Sequence, residues 1–243
     1  MEKLQLVNLV KHYSNKHAVN GINYEINEGD LIGLIGENGA GKSTTLAMIA
    51  TLIKPTSGDI VLDGKSIIRS PGIMKGRIGF VPQDIALYPM LTGYENLKFW
   101  GRLYHLNKAQ INKSLEEVSA MIGLDDATLK RKVGEYSGGM KRRINIGAAL
   151  MHNPDIVIMD EPTVGIDVNS RNIITDTIIE LNKKGKTIIY TGHYMWEIEK
   201  MCNRVCVLEN GQIKCEGRMD ELLNKGGTKI SLEEFYMNIT KEG

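Results

Sequence analysis

The opening third of the chain alternates strand and turn. Leu4 to Leu9 predicts one strand, and Val19 to Ile26 a second, in which Ile22, Tyr24 and Ile26 share a face. The run Leu31 to Ile35 is apolar throughout and reads as a buried strand, with a helix beginning directly after it at Lys42 and reaching about Ile53. Thr56, Ser57 and Gly58 lead into a strand from Asp59 to Leu62 and the hairpin turn Asp63-Gly64, and a further strand spans about Arg77 to Val81.

The middle changes character. Thr92-x-x-Glu95 and Asn107-x-x-Gln110 are two capping-box patterns, which predict helices from Gly93 to Tyr104 and from about Lys108 to Ile122. Residues from about 90 to 135 therefore read as a helical insertion, and with the next helix, Gly138 to Leu150, the helical subdomain spans about 90–150. An apolar strand Ile156 to Met159, a helix Val168 to Lys183 ended by Gly185, and a strand Thr187 to Tyr190 follow. Strands alternating with helices at this spacing predict a mostly parallel sheet in an α/β fold. Val205 to Leu208, the turn Asn210-Gly211 and Ile213 to Cys215 form a late hairpin.

Composition narrows the class without naming a function. The 243 residues carry 30 Lys and Arg against 29 Asp and Glu, with 42% hydrophobic residues, the balance of a globular protein large enough to bury a core without staples. A net charge of +1 gives no overall pull towards nucleic acid or an anionic membrane, so phosphate chemistry must come from a local site. Cys202, Cys206 and Cys215 form no CxxC pair and read as reduced thiols. The N-terminal stretch lacks the pattern of a secretory signal, and apolar runs such as Leu31 to Gly36 fall far short of the roughly 20 residues that cross a bilayer.

Gly36-Glu37-Asn38-Gly39-Ala40-Gly41-Lys42-Ser43 satisfies G-x-x-x-x-G-K-[ST] between a strand and a helix, the setting of a P-loop. Glycines let successive N–H groups turn towards phosphate oxygens, and the helix N-terminus adds positive charge. Lys42 is expected to reach the β and γ phosphates and the Ser43 hydroxyl to ligate Mg²⁺, with Thr44 completing the nucleotide-binding set. A P-loop needs a second metal carboxylate at the end of a neighbouring strand. Asp160, closing the run Ile156 to Met159, supplies it, and Glu161 beside it is the candidate general base.

Tyr136-Ser137-Gly138-Gly139-Met140 resembles the signature segment of the ATP-binding cassette (ABC) ATPases, usually LSGGQ; Tyr136 and Met140 depart from it while Ser-Gly-Gly is kept. Ser137 is a good N-cap, and the N–H groups of Gly138 and Gly139 open a helix, a second anion site on one chain. The resemblance extends from about Leu4 to Gly217 and implies further roles. Gln83 is similar to the glutamine that contacts magnesium, His193 to the switch histidine at the γ-phosphate, Asp167 to the dimer-contacting aspartate, and Tyr13 to the aromatic residue that stacks on adenine.

The resemblance implies one ABC ATPase domain over residues 1–217, a P-loop NTPase core with an N-terminal antiparallel β subdomain and the helical insertion, followed by a short helical tail over 218–243. It implies an ATPase subunit that pairs head to tail with a second copy or a related subunit, Ser137, Gly138 and Gly139 closing the nucleotide on the partner's P-loop. A separate membrane-spanning permease would carry the cargo, with this subunit on the cytoplasmic face and no nucleic acid involved. The stretches from Tyr136 to Leu150 and from Asp160 to Arg171 look most like the drug, antibiotic-peptide and sodium exporter branch. The alternative is a soluble ABC ATPase of DNA repair, chromosome organisation or translation, which usually carries coiled-coil or zinc elements not visible here. A kinase or GTPase reading leaves the Ser-Gly-Gly segment and His193 without a purpose, and no guanine-reading NKxD is present.

Overall fold

The computed structural model describes residues 3–14, 16–225 and 228–241. Its strands and helices run β1 (Lys3–Tyr13), β2 (Lys16–Asn27), β3 (Leu31–Ile35), α1 (Lys42–Ile49), β4 (Ser57–Leu62), β5 (Lys65–Ser66) and β6 (Ile78–Val81). The chain continues through α2 (Gly93–Leu103), α3 (Lys108–Met121), α4 (Asp126–Leu129), α5 (Gly138–Leu150), β7 (Ile156–Asp160), α6 (Val168–Lys183) and β8 (Thr187–Thr191). It closes with α7 (Met195–Met201), β9 (Arg204–Glu209), β10 (Gln212–Arg218), α8 (Met219–Leu223), β11 (Asn224–Lys225), β12 (Thr228–Lys229) and α9 (Leu232–Lys241).

These elements form two compact units, one of Met1–Met74 with Thr187–Gly243 and the other of Lys75–Lys186. In the first, β1 pairs antiparallel with β2 and with β4, which turns through Asp63-Gly64 into β5. The second sheet of this unit is built on β3, flanked by β8 and β9 in parallel, with β10 antiparallel on β9. Every residue of β3 and β8 is buried. A strand covered on both faces has no use for polar alternation, which is why β3 reads as a continuous apolar run and β8 places Ile188, Ile189 and Tyr190 in a row between its two threonines. Leu6 and Ile22 of the antiparallel sheet, Leu34 of β3 and Leu46 and Ile49 of α1 belong to the buried core of this unit.

The second unit is mostly helical around the parallel pair β6 and β7. Both capping boxes are formed: the Thr92 side chain accepts from Glu95 N and the Asn107 side chain from Gln110 N, while each partner side chain bonds back to the cap residue. α5 is buried from Arg142 through Leu150. Gly147 lets it approach α3 closely, since a methyl group there would lie 2.9 Å from Ile122 Cδ1 and 3.0 Å from Val118 Cγ1.

Most element boundaries fall within a residue or two of those the sequence predicts, the P-loop helix stopping at Ile49 rather than Ile53. The sequence reading places no helix at α4 or α7, and the tail is not helical throughout, because the antiparallel strands β11 and β12 lie between α8 and α9.

Candidate nucleotide site

The first unit carries the glycine-rich loop. Gly41 has φ 104°, and a methyl group there would run into the Ala18 carbonyl of β2. Gly36 is equally constrained, by the carbonyl of Leu208. Only glycine fits both the left-handed backbone and the close approach. The loop is also tied to the late hairpin, Gly211 N donating to Ala40 O at 3.1 Å and Asn20 N to Gly211 O at 2.8 Å. Glu37, Asn38 and Gly39 are exposed along the loop, whereas Ala40 is buried.

Lys42 is 7% exposed, and its ammonium folds back over the loop, donating to Gly36 O at 2.7 Å and Glu37 O at 3.0 Å. A buried cation held among backbone groups at a helix start can take a phosphate by exchanging carbonyl partners for phosphoryl oxygens. Ser43 is exposed beside it and Thr44 partly so.

β3 and β8 are parallel neighbours with Leu34 opposite Thr191, so Gly36 and His193 each lie two residues beyond a paired position, at the same end of the sheet. His193 is exposed there. Tyr13, 47% exposed, ends β1 opposite Lys16 of β2, with the Lys11 ammonium 5.2 Å from its ring centre. Lys16 Nζ reaches the loop itself, 3.4 Å from where a Gly39 methyl would sit. The hairpin thus brings a further cation, and the strand register puts Tyr13 across from it.

The second unit carries the carboxylates. β6 and β7 are parallel with Val81 opposite Met159, which puts Gln83 and Glu161 at equivalent positions two residues on. Gln83 Nε2 donates to Glu161 Oε2 at 3.0 Å. Asp160 and Glu161 are 6% and 7% exposed. Glu161 adopts φ 50°, a left-handed conformation costing a residue with a Cβ about 1 kcal/mol or more. The turn sends its side chain off the course that Asp160 follows at the strand end.

The signature segment opens α5. Ser137 Oγ accepts from Met140 N at 3.2 Å and caps the helix, Ser137 and Gly138 being exposed. Gly139 is buried against the start of α6: a methyl group there would lie 2.5 Å from Ser170 Cβ and 2.7 Å from Asp167 Oδ2. Asp167 caps α6 through Ser170 N at 2.9 Å, which holds its carboxyl below the usual range. Tyr136, the departure from the usual leucine, is buried and donates its hydroxyl to Thr128 O at 2.7 Å. Gly93 makes room for it.

Two polar residues of α5 went unremarked as site residues in the sequence. Arg142, 7% exposed, donates from Nη1 to Pro82 O at 3.1 Å, next to Gln83. Burial lowers its pKa, opposed by the charges of Asp84 and Glu161. Asn145 Oδ1 accepts from Ala86 N at 3.1 Å. A helix that must bury an arginine and an asparagine in successive turns is the signal that could have drawn attention to them.

The glycine-rich loop with its lysine, a strand ending in two buried acids and a helix opened by Ser-Gly-Gly describe a nucleoside-triphosphate hydrolase of the cassette type. The family model "ABC transporter" matches residues 19–164, and the chain belongs to this family as an ATP-binding, ATP-hydrolysing subunit. It is 48% identical over 237 residues to the linearmycin resistance ATP-binding protein LnrL of Bacillus subtilis, covering 97% of this chain and 76% of that one. It is 39% identical over 213 residues to the Nod factor export ATP-binding protein I of Paraburkholderia xenovorans, covering 88% and 70%. A solved dimeric ATP-binding cassette in a post-hydrolysis state, bound to ADP and Pi, superposes with a TM-score of 0.81 at 28% identity over 89% of this chain and 98% of the other. Among the described residues, no helix is long and apolar enough to cross a membrane.

Proposed function

We propose that this ATPase powers an exporter of the drug and antibiotic type, working with a separate membrane-spanning permease from the cytoplasmic face of the cell membrane. The names of the relatives support export and resistance, and the exposed Ser137-Gly138 helix start supports action on a second copy or a related subunit. Nucleic acid has no part in this reading.

The observation that carries the chemistry is the bond from Gln83 to a Glu161 set apart from Asp160 by its left-handed backbone. In our reading the backbone amides from Gly36 to Ser43 and the Lys42 ammonium hold the phosphates, with Thr44 at the rim. Tyr13 stacks on adenine. Glu161 orients and deprotonates the attacking water, Gln83 positions that carboxylate, and His193 meets the γ-phosphate. The Ser43 hydroxyl of the first unit and the Gln83 amide oxygen and Asp160 carboxylate of the second are each hard oxygen donors of the kind that would hold Mg²⁺, and the ion would supply charge neutralisation on the phosphates. Ser137, Gly138 and Gly139 act on the nucleotide held by the partner's loop, with Asp167 beside them.

Turnover and nucleotide binding measured side by side test this reading. Glu161→Gln should bind ATP normally, accumulate as an ATP-bound dimer and lose turnover by a factor on the order of 10² or more. Lys42→Ala should lose tight binding. Full turnover in Glu161→Gln would move the base elsewhere, and a chain that never co-purifies with a permease from membranes would refute the transporter role.

A further inference from the structure

The C-terminal helix α9 is held in place by α7, the helix that follows His193. Ser231 Oγ accepts from Glu234 N at 3.1 Å, Leu232 N donates to Glu199 Oε2 of α7 at 2.9 Å, and Leu232 and Phe235 are buried. The next residue, Tyr236, forms one wall of a cavity of about 310 Å³ whose other walls include Lys16, His17, Glu37, Asn38 and Glu209. That volume suits a small ligand or part of one, and Glu37 and Asn38 belong to the phosphate-binding loop itself.

The cavity wall carries two kinds of group. Lys16, over Gly39, and His17 offer cationic or donor groups beside the loop amides, where phosphate is favoured. Glu37 and Glu209 stand near Tyr236 and, after burial, hold its phenol protonated by raising its pKa. Two carboxylates repel phosphate but accept hydrogen bonds from vicinal hydroxyls, and a protonated phenol can donate to or accept from the same groups. A wall that offers partners for phosphate and partners for a diol suits a nucleotide.

We infer that Tyr236 is a nucleotide-positioning residue, its phenol meeting the ribose hydroxyls of ATP so that the C-terminal helix forms part of the substrate site. The inference rests on the reading that the loop from Gly36 to Ser43 binds ATP. It makes affinity for the sugar depend on a residue almost 200 positions from that loop in sequence, fixed through α7.

Calorimetric titration of the full chain with ATP, with 2′,3′-dideoxy-ATP and with inorganic tripolyphosphate tests it. Tyr236→Phe should weaken ATP binding about threefold to tenfold, the loss of one hydrogen bond, while leaving tripolyphosphate and the dideoxy nucleotide unaffected. Tyr236→Ala should weaken ATP at least as much, again without touching tripolyphosphate. Wild-type ATP affinity in both variants would overturn the inference, as would an equal loss for ATP and tripolyphosphate, which would mark Tyr236 as a support of the loop. If the wild-type chain bound neither ATP nor tripolyphosphate, the nucleotide reading itself would fall with it.

Discussion

Gly138 and Gly139 are neighbours with identical side chains, yet the structure predicts opposite responses to the same substitution. At Gly138, the first residue of α5, nothing lies within 4 Å of an added methyl group, and its φ is not among the positive values. Gly138→Ala only narrows the unfolded ensemble and should stabilise by about 0.4–1 kcal/mol. At Gly139 the methyl meets Ser170, 4% exposed at the start of α6, and the Asp167 carboxylate that caps that helix. A serine so buried cannot swing clear, so overpacking costs about 1–3 kcal/mol, and displacing the cap adds about 1. For a chain of this length each kcal/mol moves the melting temperature by about 2–4 °C, which gives Gly139→Ala a loss of roughly 4–16 °C. Thermal unfolding followed by circular dichroism without nucleotide reads both variants free of any effect on ATP. Alanine variants that melt within about 2 °C of each other would refute the packing of α5 against α6.

Other substitutions follow from single contacts. Tyr136→Phe removes the donor to Thr128 O, but that carbonyl still accepts from Arg131 N at 3.0 Å, so the loss should be near 1 kcal/mol in urea unfolding, with ATP turnover unchanged. A loss above about 3 kcal/mol would mean that the hydroxyl does more than bond to that carbonyl. His152 stacks on Tyr104 at 3.6 Å and meets Ile78 O through Nε2 at 2.9 Å, and burial lowers its pKa from the usual 6.5. The unfolded chain therefore takes up a proton before the native one, and stability should fall as pH drops below 6.5, a slope that His152→Gln flattens. An unchanged slope in that variant would assign the pH dependence to other groups. Ser137→Arg should bind ATP as a monomer yet fail to dimerise or hydrolyse it, and mixing with Lys42→Ala should restore partial turnover; ATP-induced dimers of Ser137→Arg alone in light scattering would argue against the shared site.

Local chemistry was legible wherever the chain solves a local problem. Thr92-x-x-Glu95 and Asn107-x-x-Gln110 close their helices with their own side chains, so the pattern carries the whole explanation. The continuous apolar runs of β3 and β7 likewise follow from burial of the strand alone. α7 was missed because Tyr194 offers no side-chain cap and Trp196, 52% exposed, interrupts an already short apolar face. Asp125-x-x-Thr128 carries the start signal of α4, and Ser231-x-x-Glu234 that of α9, which falls within the helical tail expected from the sequence.

Register was a different matter. The sequence put Gln83 after one strand and Glu161 after another, but their hydrogen bond depends on β6 lying parallel to β7 with Val81 opposite Met159. No local pattern states which strands are neighbours. The left-handed turn at Glu161 was equally invisible, since a glutamate advertises no preference for positive φ. Lys16 comes to Gly39 of the glycine-rich loop from the β1–β2 hairpin, and Tyr236 lines a cavity with Glu37 and Asn38 from a distant helix, so neither sits in a motif.

The two side chains by which α5 grips the segment after β6 make this helix a pinned rod. Its 13 residues span roughly 20 Å, with Ser137 at the free tip and Arg142 some 7 Å along. A thrust delivered to the tip by a second subunit would travel through backbone hydrogen bonds that barely compress. It would arrive at the Pro82 carbonyl, one residue from the amide that touches Glu161. Cutting the pin with Arg142→Met would then leave a motor that idles: ATP consumed at its basal rate and, in the proposed transporter, no acceleration when cargo loads a permease.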